Sequence, residues 1–135
     1  MLTFSDEEKR ICSIVEKSLQ DFPLYLQNYD IFVVIHERGT SIGYRTVKNL
    51  APTNSTNFDV QLVDDKCYVL WINISPEKRG KGYGKALCNC IEHFCRELGY
   101  TQINLNPSGP GKDTFWKRLG FEEETKMNFI KKLSK

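Results

Sequence analysis

Ile74-Ser75-Pro76-Glu77-Lys78-Arg79-Gly80-Lys81-Gly82-Tyr83-Gly84 is the stretch on which the fold turns. A β-branched and aromatic run, residues 66–74, leads into it, and an amphipathic helical pattern, residues 83–98, leads out. A glycine-rich strand-to-helix junction carrying cations presents backbone N–H groups and a helix N-terminus, an arrangement that binds phosphates. Two nucleotide motifs fail on spacing. A P-loop needs GxxxxGK followed by Ser or Thr, whereas residues 80–86 read GKGYGKA and lack the hydroxyl that would hold magnesium. A dinucleotide fingerprint needs GxGxxG, and the glycines here fall as GxGxG. The form that fits is Gln/Arg-x-x-Gly-x-Gly/Ala, met by Arg79, Gly82 and Gly84. Glycines alone also suit a plain turn; the flanking strand, the Pro76 turn and the helix favour the anion cradle.

Outward from the loop, the helix has an apolar side of Tyr83, Leu87, Cys90, Ile91, Phe94 and Leu98, and a polar side of Lys85, Asn89, Glu92 and Arg96. That pattern packs a helix on a sheet, and Gly99 stops it. Residues 101–105 read as the next strand, so the two strands and their helix form a right-handed parallel crossover. A loop over 106–111, a short helix over 113–119 closed by Gly120, and a hairpin of 121–124 with 127–133 complete the C-terminal half. Upstream, Ser5-Asp6-Glu7-Glu8 is a capping box opening a helix that ends near Asp21, ahead of Pro23. Residues 24–29 suit a short helix or a loop. Residues 31–36 and 41–47 form a hairpin about the turn 37–40, and the polar residues 51–57 read as an exposed loop. The order is helix, hairpin, strand, helix, strand, helix, hairpin, which builds a mixed α/β sheet.

A chain of 135 residues fits one domain, residues 1–135, with 40% hydrophobic and 27% charged residues, as in ordinary globules. A net charge of +2 gives no footprint for nucleic acid or membrane surfaces. No apolar run approaches the roughly 20 residues of a membrane span, and an N-terminus carrying Asp6, Glu7 and Glu8 is not a signal peptide. Five cysteines without a framework spacing imply reduced thiols and a cytoplasmic or other reducing compartment. Cys88, Cys90, His93 and Cys95 point in different directions on a helix, so no metal site is expected. The sequons at Asn54 and Asn73 are then silent.

The loop and its flanks resemble the GNAT superfamily of acetyl-CoA-dependent N-acetyltransferases, tightly over residues 68–121 and again at 127–133, which is similar to the family's closing strand. The resemblance implies a mixed, mostly antiparallel sheet with a central splayed parallel strand pair, flanked by helices. It implies acetyl-CoA as cosubstrate, with its pyrophosphate on the amides of Gly80, Lys81, Gly82, Tyr83, Gly84 and Lys85, and Arg79 and Lys81 adding charge. The pantetheine arm is then expected between the splayed strands, against Ile72, Asn73 and Ile74, with Asn106, Phe115 and Trp116 completing the cofactor set. The Ile72 amide is the implied donor to the thioester oxygen.

The proton-transfer residues depart from the family. The position of the usual acid, a Tyr four residues before a Gly-Phe pair, holds Trp116 ahead of Gly120-Phe121. An indole N–H donates a hydrogen bond but is no acid, so Phe115 and Trp116 are expected to pack. The positions of the usual glutamate base hold Tyr68 and Leu70, and strand alternation puts Tyr68, Leu70 and Ile72 on one face. Tyr68 and, just upstream, Asp64 and Asp65 are candidates for the catalytic role, with ordered water as the default base. His36 reads as a surface histidine of the hairpin turn. For the acceptor, Glu37, Asp59, Asp64, Asp65 and residues 122–124 carry negative charge, and Tyr25 and Tyr29 offer aromatic faces. The expected partner is a small primary amine such as a polyamine, acetylated by a monomer or homodimer. A protein lysine and a CoA-binding module without catalysis remain as alternatives. Nucleic acid is a poor match for Lys78, Arg79, Lys81 and Lys85, which lack interleaved aromatics.

Overall fold

The Ser5 hydroxyl accepts from the Glu8 amide, and Glu8 Oε1 accepts from the Ser5 amide at 2.8 Å, so the capping box opens a helix as its sequence requires. The structure is a computed structural model that describes residues 5–25, 30–45, 55–107 and 112–133. In chain order these form α1 (Asp6–Leu19), β1 (Asp30–His36), β2 (Gly39–Arg45), β3 (Asn57–Val63), β4 (Lys66–Asn73), α2 (Tyr83–Glu97), β5 (Gln102–Leu105), α3 (Lys112–Arg118), β6 (Glu122–Thr125) and β7 (Asn128–Lys132). A short 3-10 turn, Pro76–Lys78, lies between β4 and α2. Tyr29, residues 46–47 of the return strand, residues 51–54 with the asparagine of the first sequon, and residues 108–111 fall outside the described residues.

One seven-stranded sheet runs in the order β1-β2-β3-β4-β5-β7-β6. Within it β4 and β5 are parallel, and the other neighbouring pairs are antiparallel. This is the mixed, mostly antiparallel sheet with helices against it that the sequence anticipates. Phe58 sits at the centre, its ring 5.5 Å from Tyr44 and 5.9 Å from Phe94 of α2. Phe58, Val60 and Leu62 alternate along β3 and face α1 and α2; Asp59, Gln61 and Val63 face the other way. Ser18 Oγ and His93 Nδ1 lie 2.7 Å apart and tie α1 to α2.

Two expectations are corrected. Residues 58–63, unassigned from the sequence, form β3 together with Asn57, and Ser55, Thr56 and Asn57, expected in an exposed loop, are buried, so the central strand is reached through a tight hairpin. Asp64 in that turn has a φ of 56°, a left-handed backbone that aspartate tolerates better than most residues. Glu92, grouped by helical angle with solvent-facing residues, is buried. Its carboxylate lies 3.0 Å from Lys131 Nζ of β7 and 3.6 Å from Arg96 Nη2, so the desolvated charge has partners. The polar side of α2 is narrower than its helical angles imply because the Lys131 side chain of β7 reaches Glu92.

Candidate active site

The pairing of β4 sets the site. Val60 lies opposite Val69 and Asp59 lies opposite Trp71, which leaves Leu70 without a partner in β3. This is a β-bulge, and a bulge bends a strand and reverses its alternation. On the other side, β4 pairs with β5 over Lys66–Gln102 to Val69–Leu105 and no further among the described residues. From Leu70 to Asn73 the strand has left its parallel neighbour, and a gap opens between them.

The bulge corrects the reading that Tyr68, Leu70 and Ile72 share a face. Ile72 lies opposite Phe58 and faces the helices; Tyr68 lies opposite Gln61 and faces away. Asp65 is also moved out of the site. It belongs to the β3–β4 turn, and the eight residues of β4 separate it from the glycine loop, roughly 25 Å at 3.3 Å per residue.

The loop itself is braced from behind. Arg79 Nε donates to the Ile74 carbonyl at 2.9 Å, and Arg79 Nη2 donates to Asn73 Oδ1 at 2.9 Å. Arg79 therefore shapes the loop as well as charging it, and the Ile74 carbonyl is already engaged. Gly80 and Gly82 have φ of 78° and 83°, and a Cβ built on either meets no atom within 4 Å. Positive φ selects glycine here, and the space above both residues is open to an incoming group. Gly82 is the N-cap of α2 and supplies no side-chain cap, so the first N–H groups of the helix face this space without intrahelical acceptors. Gly84 has a different role. Its Cβ would meet Phe115 Cζ at 3.3 Å, so this glycine lets α3 close on α2.

A cavity of about 510 Å³ stands over this cradle, lined by residues 72–74 at the end of β4 and just past it, 78–80, 82–85, Phe115 and Trp116. Lys78, named from the sequence among the loop cations but left out of the cofactor set, joins the wall; Lys81 and Asn106 do not. A second cavity of about 270 Å³ shares Ile72, Asn73 and Trp116 with the first and reaches across the gap to Leu105 and Asn106. A third, of about 260 Å³, shares Val69, Leu70, Leu105 and Asn106 with the second and adds Tyr68, Asn104 and Asn128 on the far side. The three form a passage from the glycine loop, through the gap, to the opposite face of the sheet. Among the described residues no carboxylate or imidazole lines it.

Trp116 is 6% exposed and packs edge-on against Phe115 and Phe121 at centroid distances of 4.9 and 5.5 Å. It lines both the loop cavity and the gap cavity, which makes it a wall. His36 stays in its hairpin, with Nε2 3.1 Å from Ser41 Oγ. Tyr25 stacks on Tyr44 at 6.3 Å and reaches Glu16 with its hydroxyl, on the helix side of the sheet. The thiols are packing groups. Burial pushes Cys88 up to about 12 and Cys90 up to about 11. Among the described residues there is no cluster of metal-ligating side chains and no helix long and apolar enough to cross a membrane.

A family model for the acetyltransferase (GNAT) domain matches residues 27–123. The chain belongs to the GNAT acetyltransferase family. Solved structures agree on the fold. The PaiA N-acetyltransferase of Thermoplasma acidophilum, in complex with coenzyme A, is 19% identical over 70% of this chain and 60% of its own, with a TM-score of 0.50. The ribosomal-protein-S18-alanine N-acetyltransferase of Escherichia coli is 18% identical over 73% and 70%, with a TM-score of 0.51. An acetyltransferase from Bacillus cereus is 17% identical over 98% and 96%, with a TM-score of 0.53. The present chain thus spans 60% of the Thermoplasma protein and nearly all of the Bacillus one. No curated protein matches the sequence. For a GNAT protein the cradle passes a physical test for coenzyme A: its backbone N–H groups, its open glycines and its nearby cations fit a polyphosphate, and the gap fits a thin arm.

Proposed function

We propose that this GNAT protein transfers an acetyl group from acetyl-CoA to the primary amine of a small cationic acceptor such as a polyamine. The passage from the glycine loop through the β4–β5 gap to the opposite sheet face carries the reading. Donor and acceptor can then approach one reaction point from two sides.

Acetyl-CoA, when bound, supplies the acyl group as a thioester. The residues do the rest. The amides at the start of α2 and the glycines before it receive the anionic end, with Lys78, Arg79 and Lys85 around them. The freed main chain of residues 70–73 offers donors to a carbonyl, and the Ile72 amide is the one we assign to stabilise charge on that oxygen. Phe115 and Trp116 exclude water from one wall. Trp116 gives no proton to a leaving thiolate, which is tolerable because a thiolate leaves without one. With no carboxylate or imidazole on the passage, the amine loses its proton to water or enters neutral.

The test is thiol release from acetyl-CoA across polyamines, aminoglycosides, amino acids and lysine peptides, with CoA binding measured by calorimetry. Release with polyamines supports the reading. Release with lysine peptides alone moves the acceptor to a protein. CoA binding with no release across the panel leaves a binding module in place of the enzyme.

A further inference from the structure

Strand pairing places Phe32 opposite Gly43, Gly43 opposite Asp59 and Asp59 opposite Trp71. The four residues cross β1 to β4 in one row, on the face turned away from α1 and α2. Gly43 has no side chain, and a Cβ there would lie 1.9 Å from Phe32 Cζ, so the Phe32 ring lies over that position toward Asp59. Directly opposite residues bring their Cβ atoms to about 5 Å, so Asp59 is flanked by one aromatic ring across Gly43 and by another on the next strand. Phe32 is 37% and Trp71 39% exposed, so both rings are reachable from solvent.

Asp59 is half-buried, and among the described residues its carboxylate accepts no hydrogen bond and makes no ion pair within 4.0 Å. Burial raises its pKa, and the charge of Arg45, one row along on β2, acts against that rise. A carboxylate held partly out of water without a hydrogen bond is a cost to the fold unless something cationic comes to it. Two accessible aromatic faces beside it suit an alkylammonium.

The row also points at the reaction. Trp71 immediately precedes Ile72 and lines the gap cavity with it. Asp59 lies one strand further in, about 4.8 Å from β4, so a cation resting on Asp59 is set back from the gap by a strand's width. We propose that Asp59, between Phe32 and Trp71, anchors one ammonium of a di- or polyamine while a second, terminal amine of the same molecule enters the β4–β5 gap. This deepens the acetyltransferase reading and rests on it: it assigns a specificity site for acceptors carrying more than one nitrogen.

The experiment compares spermidine with butylamine, an amine of one nitrogen, in thiol-release assays of the wild type, Asp59→Asn and Asp59→Glu, with CoA affinity measured for each. The expected result is a rise of about tenfold or more in KM for spermidine in Asp59→Asn, the equivalent of one charged contact near a ring. The kcat, the kcat/KM for butylamine and the affinity for CoA stay within about twofold, and Asp59→Glu recovers part of the loss. An unchanged spermidine KM in Asp59→Asn, or an equal fall for both amines, overturns the inference and leaves the acetyltransferase reading standing. A wild type that uses butylamine and not spermidine also overturns it. A wild type that binds CoA and acetylates neither amine overturns the anchor, while the acetyltransferase reading is then decided by the wider acceptor panel, lysine peptides included.

Discussion

Replacing Gly82 with alanine separates what the glycine does for the fold from what it does for the site. Gly82 has a φ of 83°, and a Cβ there meets no protein atom within 4 Å. The substitution therefore has a backbone cost alone, about 1–2 kcal/mol for a left-handed alanine, which lowers Tm by roughly 3–8 °C in a chain of this size. Gly99, at the far end of α2, has a φ of 88° and equally open surroundings. Gly99→Ala should lower Tm by the same amount. The two differ only in where the new methyl projects. At Gly82 it stands in the cradle and holds an anion back from the first amides of α2. Hydrogen bonds to charged groups contribute about 1.5–3 kcal/mol each, so losing one weakens CoA binding by about tenfold and losing two by about a hundredfold or more. Differential scanning calorimetry and titration calorimetry on both variants make the comparison. Equal CoA affinities for Gly82→Ala and Gly99→Ala would refute the cradle.

Other consequences follow from the same structure. Lys131→Met leaves the buried Glu92 with Arg96 alone and should lower stability by about 1–3 kcal/mol in urea titration, and adding Glu92→Leu should restore most of that. Native protein at pH 8 should be alkylated by iodoacetamide at Cys12, with Cys88 and Cys90 reacting only after unfolding, as peptide mapping would report. Asp59 has its pKa raised in the folded state, so the stability linked to it is fully present below the unfolded value near 4 and is lost as pH rises through the folded one. Asp59→Asn should therefore keep or raise Tm at pH 7 and match the wild type near pH 3. With no carboxylate or imidazole on the passage, kcat/KM for the amine should keep rising with pH from 7 to about 9; a plateau above about 7 would reveal a base.

The loop was legible in the sequence because its chemistry is local. Glycines at 80 and 82, a proline turn and a helix pattern dictate positive φ and free amides whatever the rest of the chain does. The parallel pairing of β4 with β5 followed from a strand, helix and strand in succession. The signal for β3 was also present, as Phe58, Val60 and Leu62 alternate with polar residues at the strand period; the polar run before it masked the start. The bulge at Leu70 was not legible. Residues 66–74 read as an unbroken strand, and an extra residue shows only against the partner strand. Every assignment of Tyr68 and Ile72 to a shared face failed on that one residue. The ion pair of Glu92 with Lys131 joins residues 39 positions apart, and helical angle alone cannot report the approach of β7. The row from Phe32 to Trp71 likewise exists only once four strands are in register.

Acetyl transfer to a polyamine is the central claim, and following the acetyl group tests it most directly. Acetyl-CoA labelled in its acetyl carbons is incubated with the protein and spermidine, and the products are separated. The account predicts label on a spermidine nitrogen in step with free CoA thiol, and the loss of both in Gly82→Val. Label that stays on CoA, or leaves it as free acetate whether or not amine is present, would contradict it.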